Sequence, residues 1–362
     1  MIRHSELLFL EGNEIVGNFF EKKENSLLIL GKGFDPRACK VLKLLKSRNV
    51  CLTTWLIDYN EKLGYSDSQK NESRSNKNEK QFEILCENSA REVINAPSYK
   101  VESGKRRLVV SESVRVFLTK KKIGLFDNII VDLSAMPRAV GYSIIKRILD
   151  IKNDSQKVYL IVCENSECDN KIKPKIVDES AEYLQGFNTF SMLSEADDDE
   201  TIWFPALGMN EKGAFDIIYD YIRPMEICPI VPFPAMDVRR SENILRQFGT
   251  VLFKEREIEK RNIIYVPEYA PAIVAEKLYD TVKYYEKALN NEGTRDIRYA
   301  FSSQSSKLID MGILLAVIEL AKDGIKTGIV IVENQGYESP DEYDESKEKI
   351  YCLCLNECEF DW

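Results

Sequence analysis

The sequence predicts an α/β protein built of two Rossmann-like halves, with mainly parallel sheets flanked by helices. Short apolar runs rich in Leu, Ile and Val end in Gly, Asp or Ser and give way to helical periodicity, as after Leu27-Leu28-Ile29-Leu30 and after Ile129-Ile130-Val131. Strand alternating with helix is the pattern of a parallel sheet covered on both faces. The rhythm restarts after residue 200, and 362 residues with 44% apolar content supply enough core for two such sheets.

The first half is expected over residues 1–165. A strand through Leu30 runs into Gly31-Lys32-Gly33-Phe34-Asp35-Pro36-Arg37, a tight turn before a helix face of Val41, Leu44 and Leu45. Pro36 suits a first helical position and Asp35 the cap before it. A second strand from Val50 ends at Asp58, and a right-handed crossover is the default connection. Residues 64–80 are nearly all polar and cannot bury enough surface to offset ordering, so they read as a mobile insertion. Helical periodicity returns near Phe82 and Leu85, and again after Ser111, a capping residue. Asn128 to Leu133 is a buried strand leading through Ser134-Ala135-Met136-Pro137-Arg138 into a helix, and Val158 to Cys163 is the next strand.

Residues 166–200 read as a polar surface connection, closed by the acidic run 195–200 as a solvated loop. The second half is expected over 201–362. It opens with a strand at Thr201 to Pro205 and a helix from Ala214 to Ile222; the prolines of Ile227 to Pro234 demote that segment to an edge or loop. A helix at 241–248, a strand at 262–266 and a long helix at 272–289 follow. The strand at 297–301 leads into Ser302-Ser303-Gln304-Ser305-Ser306-Lys307, and Leu308, Met311, Leu315 and Ile318 share one face of the next helix. Runs at 328–332 and 350–355 are the last strands.

Composition narrows the chemistry. A net charge of −9 argues against broad nucleic-acid binding, which is driven by neutralising phosphates. No apolar run is long enough for a membrane span. Nine cysteines, an odd and scattered set, suit reduced thiols and a cytoplasmic location. The single histidine, His4, leaves no residue for a Ser-His-Asp system, a two-histidine zinc site or a histidine base elsewhere in the chain.

Ligands of open α/β sheets bind outside the carboxyl ends of the strands, so polar residues at those ends are the candidates. Gly31 and Gly33 let backbone approach a ligand, and Lys32 and Arg37 add positive charge; the loop fits neither the P-loop nor the dinucleotide fingerprint. Asp132 closes a hydrophobic strand and calls for a partner such as Arg138 or a ligand hydroxyl, with Ser134 beside it. In a chain so poor in histidine, Asp35 and Asp132 are the candidate acid–base residues. Ser302, Ser303, Ser305, Ser306 and Lys307 form an anion cradle at a helix N-terminus, where donors, dipole and charge act together. Cys352, Cys354 and Cys358 fall short of a zinc site, Arg239-Arg240 and Glu268 are weaker strand-end candidates, and no motif assigns a metal or cofactor.

A Rossmann-like sheet with a serine-rich loop containing Lys307 just before a late helix, together with Gly31 to Arg37, resembles the CARF-type ligand-sensing domains of prokaryotic defence systems, which bind cyclic oligonucleotides. The resemblance implies a nucleotide or phosphate ligand, a sensing or accessory role in antiviral defence, and assembly as a homodimer or with other defence-system proteins. A histidine-independent enzyme acting on a phosphate ester and a structural partner of a larger complex are the alternatives.

Overall fold

The computed structural model describes residues 9–11, 24–59, 68–102, 105–177, 180–190, 200–289, 297–332, 334–338, 340, 342 and 344–355. His4, Cys358, residues 64–67 and most of the acidic run (195–199) lie outside them.

In chain order the elements begin β1 (Phe9–Glu11), β2 (Ser26–Gly31), α1 (Lys40–Ser47), β3 (Leu52–Asp58), α2 (Ser68–Leu85), β4 (Arg91–Asn95), β5 (Tyr99–Glu102), β6 (Lys105–Leu108) and α3 (Val110–Lys120). They continue β7 (Asn128–Asp132), α4 (Arg138–Ile151), β8 (Lys157–Glu164), α5 (Ser166–Lys171), β9 (Lys173–Val177), β10 (Glu182–Tyr183), β11 (Glu200–Ala206), α6 (Lys212–Ile222) and β12 (Glu226–Ile227). The remainder are β13 (Ile230–Pro232), α7 (Arg240–Thr250), β14 (Ile264–Val266), α8 (Pro271–Leu289), β15 (Ile297–Ser303), α9 (Lys307–Lys322), β16 (Thr327–Ile331), β17 (Asn334–Glu338) and β18 (Lys349–Cys354).

The chain divides into two compact units, one of Arg3–Ile172 with Glu338–Trp362 and one of Lys173–Tyr337. The N-terminal unit holds a seven-stranded sheet in the order β1-β18-β8-β7-β2-β3-β4, and the C-terminal unit one in the order β10-β16-β15-β11-β13-β14, with β12 beside β11. Counting only the parallel strands of each unit in chain order, both sheets read 3-2-1-4-5, the doubly wound order, with an antiparallel strand added beside the fifth. In each, the strand order reverses once, between β2 and β7 and between β11 and β15. The protein is therefore a Rossmann-like α/β fold in both units.

The strands form because their apolar, β-branched runs are buried on both faces: β2, β7 and β16 are buried at every position. One core gathers Leu28, Ile130, Tyr159, Leu42 and Phe82, and another gathers Trp203, Phe215, Ile244, Phe248 and Ala300.

Several sequence expectations change. Residues 68–80 of the polar insertion are part of α2, tied down by Asn78 and, just beyond the insertion, by buried Phe82. The helix expected near Phe82 and Leu85 thus starts earlier than its periodicity announces. The segment 166–200 is no simple connection, since α5 closes the N-terminal unit while β10 pairs with β16. Nor does the second half run to residue 362, because β18 pairs antiparallel with β8 through six positions of the first sheet. An apolar run announces a strand but not its partner. The proline-flanked β13 lies between β11 and β14 rather than at an edge; its Pro232 is the last strand residue, where a missing N–H costs least. Asp35 does not cap a helix starting at Pro36, for α1 begins at Lys40 after a turn.

Candidate functional site

Each switch point brings two strand-end loops together, so there are two sites to compare. In the N-terminal unit the loop after β2 meets the loop after β7. A Cβ on Gly33 would stand 2.6 Å from the Ala135 carbonyl oxygen and 2.8 Å from the Tyr59 hydroxyl, so only glycine fits there. The Tyr59 hydroxyl donates to the same carbonyl at 3.0 Å. Gly31 to Arg37 and Asp132 to Arg138 thus adjoin, as two neighbouring parallel strands require, and Tyr59 fills the space between them.

The charges of this crevice are already engaged. Arg37, 5% exposed, takes Asp35 in a two-pronged pair at 2.9 and 2.7 Å and also meets Asp169 at 2.9 Å. Lys32 lies 3.2 Å from Asp58 and 3.0 Å from Glu79. The side-chain amide of Asn78 on α2 donates to the carbonyls of Gly33 and Asp35, each at 2.8 Å. The two cations expected to hold phosphate each have carboxylate partners.

Asp132 is 1% exposed. Its Oδ1 accepts from the Ser134 N–H at 2.9 Å and the Ser134 hydroxyl at 2.5 Å, not from Arg138. Ser134 in turn accepts from the Cys163 N–H at 2.8 Å, which spends its hydroxyl on the sheet. Oδ2 has no hydrogen-bond partner. Burial, together with the charge of Asp35 and against the Ser134 hydrogen bonds, pushes this carboxyl up to about 7.

In the C-terminal unit the loop after β11 meets the serine loop after β15. Gly208 makes that contact possible, because a Cβ there would fall 1.7 Å from the Gln304 carbonyl oxygen. Beneath the junction a cavity of about 10 Å³, room for about one water, is walled by Trp203, Phe215, Phe248 and Ser302. The four serines divide. Ser302 accepts from the Trp203 indole at 3.0 Å, and Ser303 donates to the buried Asp310 and accepts from the Ser305 N–H at 3.3 Å. Those two belong to the sheet and to α9.

Ser306 is the cap of α9, a helix of 16 residues, and its carbonyl accepts from the Asp310 N–H at 3.0 Å. Its hydroxyl does not cap the first turn; it is buried, the residue only 8% exposed, and it has no partner. An uncapped helix start beside an unsatisfied buried hydroxyl is a place where an incoming acceptor gains hydrogen bonds at little cost. Lys307 opens the helix next to it, half-buried. Asp310 was not legible as part of this site, since its link to Ser303 depends on how the helix meets the strand. Gly208 had a signal, a glycine two residues beyond a strand.

Cys352 and Cys354 pack in the first core, burial holds the Cys352 thiol well above its usual range, and no metal-binding cluster occurs among the described residues. No helix among them is long and apolar enough to cross a membrane.

No family model matches the sequence, and no curated protein matches it. Among solved structures, the chain is similar to a type III CRISPR defence DNA nuclease activated by cyclic oligoadenylate, at 8% identity over 89% of this chain and 69% of that one, with a TM-score of 0.46. It is also similar to the DszA carbon methyltransferase, at 14% identity over 42% of this chain and 32% of that one (TM-score 0.22). A third is Haemonchus contortus phosphoethanolamine N-methyltransferase 2, at 10% identity over 94% of this chain and 51% of that one (TM-score 0.22). These are likenesses of fold.

Proposed function

We propose that the protein binds a phosphorylated, nucleotide-class ligand at the switch point of its C-terminal unit and acts as a sensor or accessory protein, with antiviral defence as its setting. The observation that carries the reading is the orphaned Ser306 hydroxyl at the uncapped start of α9, beside Lys307. The N-terminal crevice supports it less, since Lys32 and Arg37 already have carboxylate partners.

Calorimetry against mononucleotides, inorganic phosphate and cyclic oligoadenylate, the activator of the nuclease noted above, tests the reading. Lys307→Ala should weaken the best ligand by about 1.5–3 kcal/mol, the worth of a hydrogen bond to a charged group. Unchanged affinity in that variant would remove the serine loop from the site.

Asp132 favours a second reading, an enzyme acting on a phosphate ester. A buried carboxyl held near neutrality is suited to proton transfer. If turnover of a phosphoester panel is found, Asp132→Asn should abolish it with the fold intact; turnover that survives the change excludes this residue.

A further inference from the structure

The carboxyl edge of the C-terminal sheet is stepped. Ala206 of β11 lies level with Ser303 of β15 and with Ile230 of β13, and there β11 and β15 end. Strand β13 continues to Pro232, beside Val266 of β14. The loops after β13 and β14 therefore begin about 7–10 Å above the serine loop, at ~3.3 Å per residue, and lie two and three strand spacings, about 10 and 14 Å, to its side.

Those two loops are cross-linked beneath and aromatic above. Arg240 and Glu268, 7% and 3% exposed, pair at 3.0 Å. Glu268 also accepts from the Met236 N–H at 3.0 Å, its own N–H donates to the Pro234 carbonyl at 2.9 Å, and Ser241 donates to the Pro232 carbonyl. On this braced base Phe233 is 57% exposed and Tyr269 44%, with Tyr265 edge-on to Phe233 at 6.1 Å. Arg239 is exposed with its side chain in no ion pair among the described residues, and the buried Arg240 Nε has no acceptor. Large rings held in water on a rigid support offer flat apolar faces on which a planar partner can stack.

We infer that the ligand is bound at two ends: its phosphate at the serine loop and its nucleobase on the Phe233 and Tyr269 ledge. The inference deepens the proposed function and rests on it. Inorganic phosphate is too small to touch both serine loop and ledge, whereas a nucleotide carries, beyond its phosphate and sugar, a flat face for stacking.

The test uses the full chain and three probes, adenosine 5′-monophosphate, ribose 5-phosphate and inorganic phosphate, titrated by calorimetry. The wild type should bind the nucleotide about tenfold or more tightly than ribose 5-phosphate, the scale of one stacked base. The double variant Phe233→Leu/Tyr269→Leu, which keeps apolar bulk but removes the rings, should lose that preference and leave ribose 5-phosphate affinity and melting temperature unchanged. Equal binding of nucleotide and ribose 5-phosphate by the wild type, or unaltered nucleotide binding by the double variant, overturns the ledge. Nucleotide binding that depends on the rings but not on Ser306 or Lys307 keeps the ledge and overturns the serine loop. Absence of binding by all three probes overturns both.

Discussion

At the scale of single residues, Asp132 separates structure from chemistry. Its carboxyl is protonated in the folded chain up to about pH 7, while in the unfolded chain it ionises near pH 4. Between those values the native state binds the extra proton, so Asp132 contributes full stability below pH 4 and loses it as pH rises toward 7. Asp132→Asn carries no such proton. Stability, read from melting temperature, should therefore shift in favour of the variant from pH 4 to pH 7 and level off above, by at most a few kcal/mol. Melts at half-unit pH steps check this, and a constant difference would mean the carboxyl titrates normally. The same residue shows how far the chain could be read in advance. A carboxylate ending an apolar strand was visible, but its partner was not, because Ser134 reaches it only through the turn after β7.

At the scale of elements, the two switch points depend on close backbone approach. Gly208→Ala places a methyl carbon 1.7 Å from a carbonyl oxygen of the facing loop, which cannot yield as a flexible side chain would. The expected cost is about 1–3 kcal/mol or more from overpacking, seen as a lower melting temperature with weakened ligand binding. Gly249→Ala, inside helix α7 with nothing within 4 Å, is the control: it should leave ligand binding unchanged and raise the melting temperature slightly, since alanine is favoured over glycine in a helix by about 0.5–1 kcal/mol. Helix α2 gives a second prediction. It is polar almost throughout, and such a helix holds its place through few contacts. Phe82, 1% exposed, is its main apolar anchor, so Phe82→Ala should cost about 3–5 kcal/mol and speed amide exchange along 68–85. Exchange no faster than wild type would show that Asn78 and Glu79 suffice. Polarity over residues 64–80 pointed to mobility because the buried ring that anchors their helix, Phe82, lies just beyond that stretch, and its weight is known only once its neighbours are.

At the scale of the whole molecule, the C-terminal strand returns to the first sheet. Leu353 and Cys352 of β18 are fully buried, and Lys40 meets Glu345 at 2.5 Å and Glu348 at 2.9 Å. Ending the chain after Glu338 should strip the pairing from β8 and unprotect amides of β8 and β7, while those of β15 keep their protection. Hydrogen exchange read by mass spectrometry distinguishes the two units, and equal loss in both would show that they fold as one. What the sequence determined by itself was local: the alternation of strand and helix, the strand-end loops where polar residues collect, and the serine-rich start of a late helix. Each follows from periodicity or composition within about a dozen residues. The tertiary structure decided which strands are partners, that Lys32 and Arg37 are spent on carboxylates, that Ser302 and Ser303 serve the core while Ser306 is left unsatisfied, and that Phe233 and Tyr269 stand on a braced ledge. Those facts depend on contacts between residues far apart in the chain, and neither periodicity nor composition records who a side chain's neighbour is.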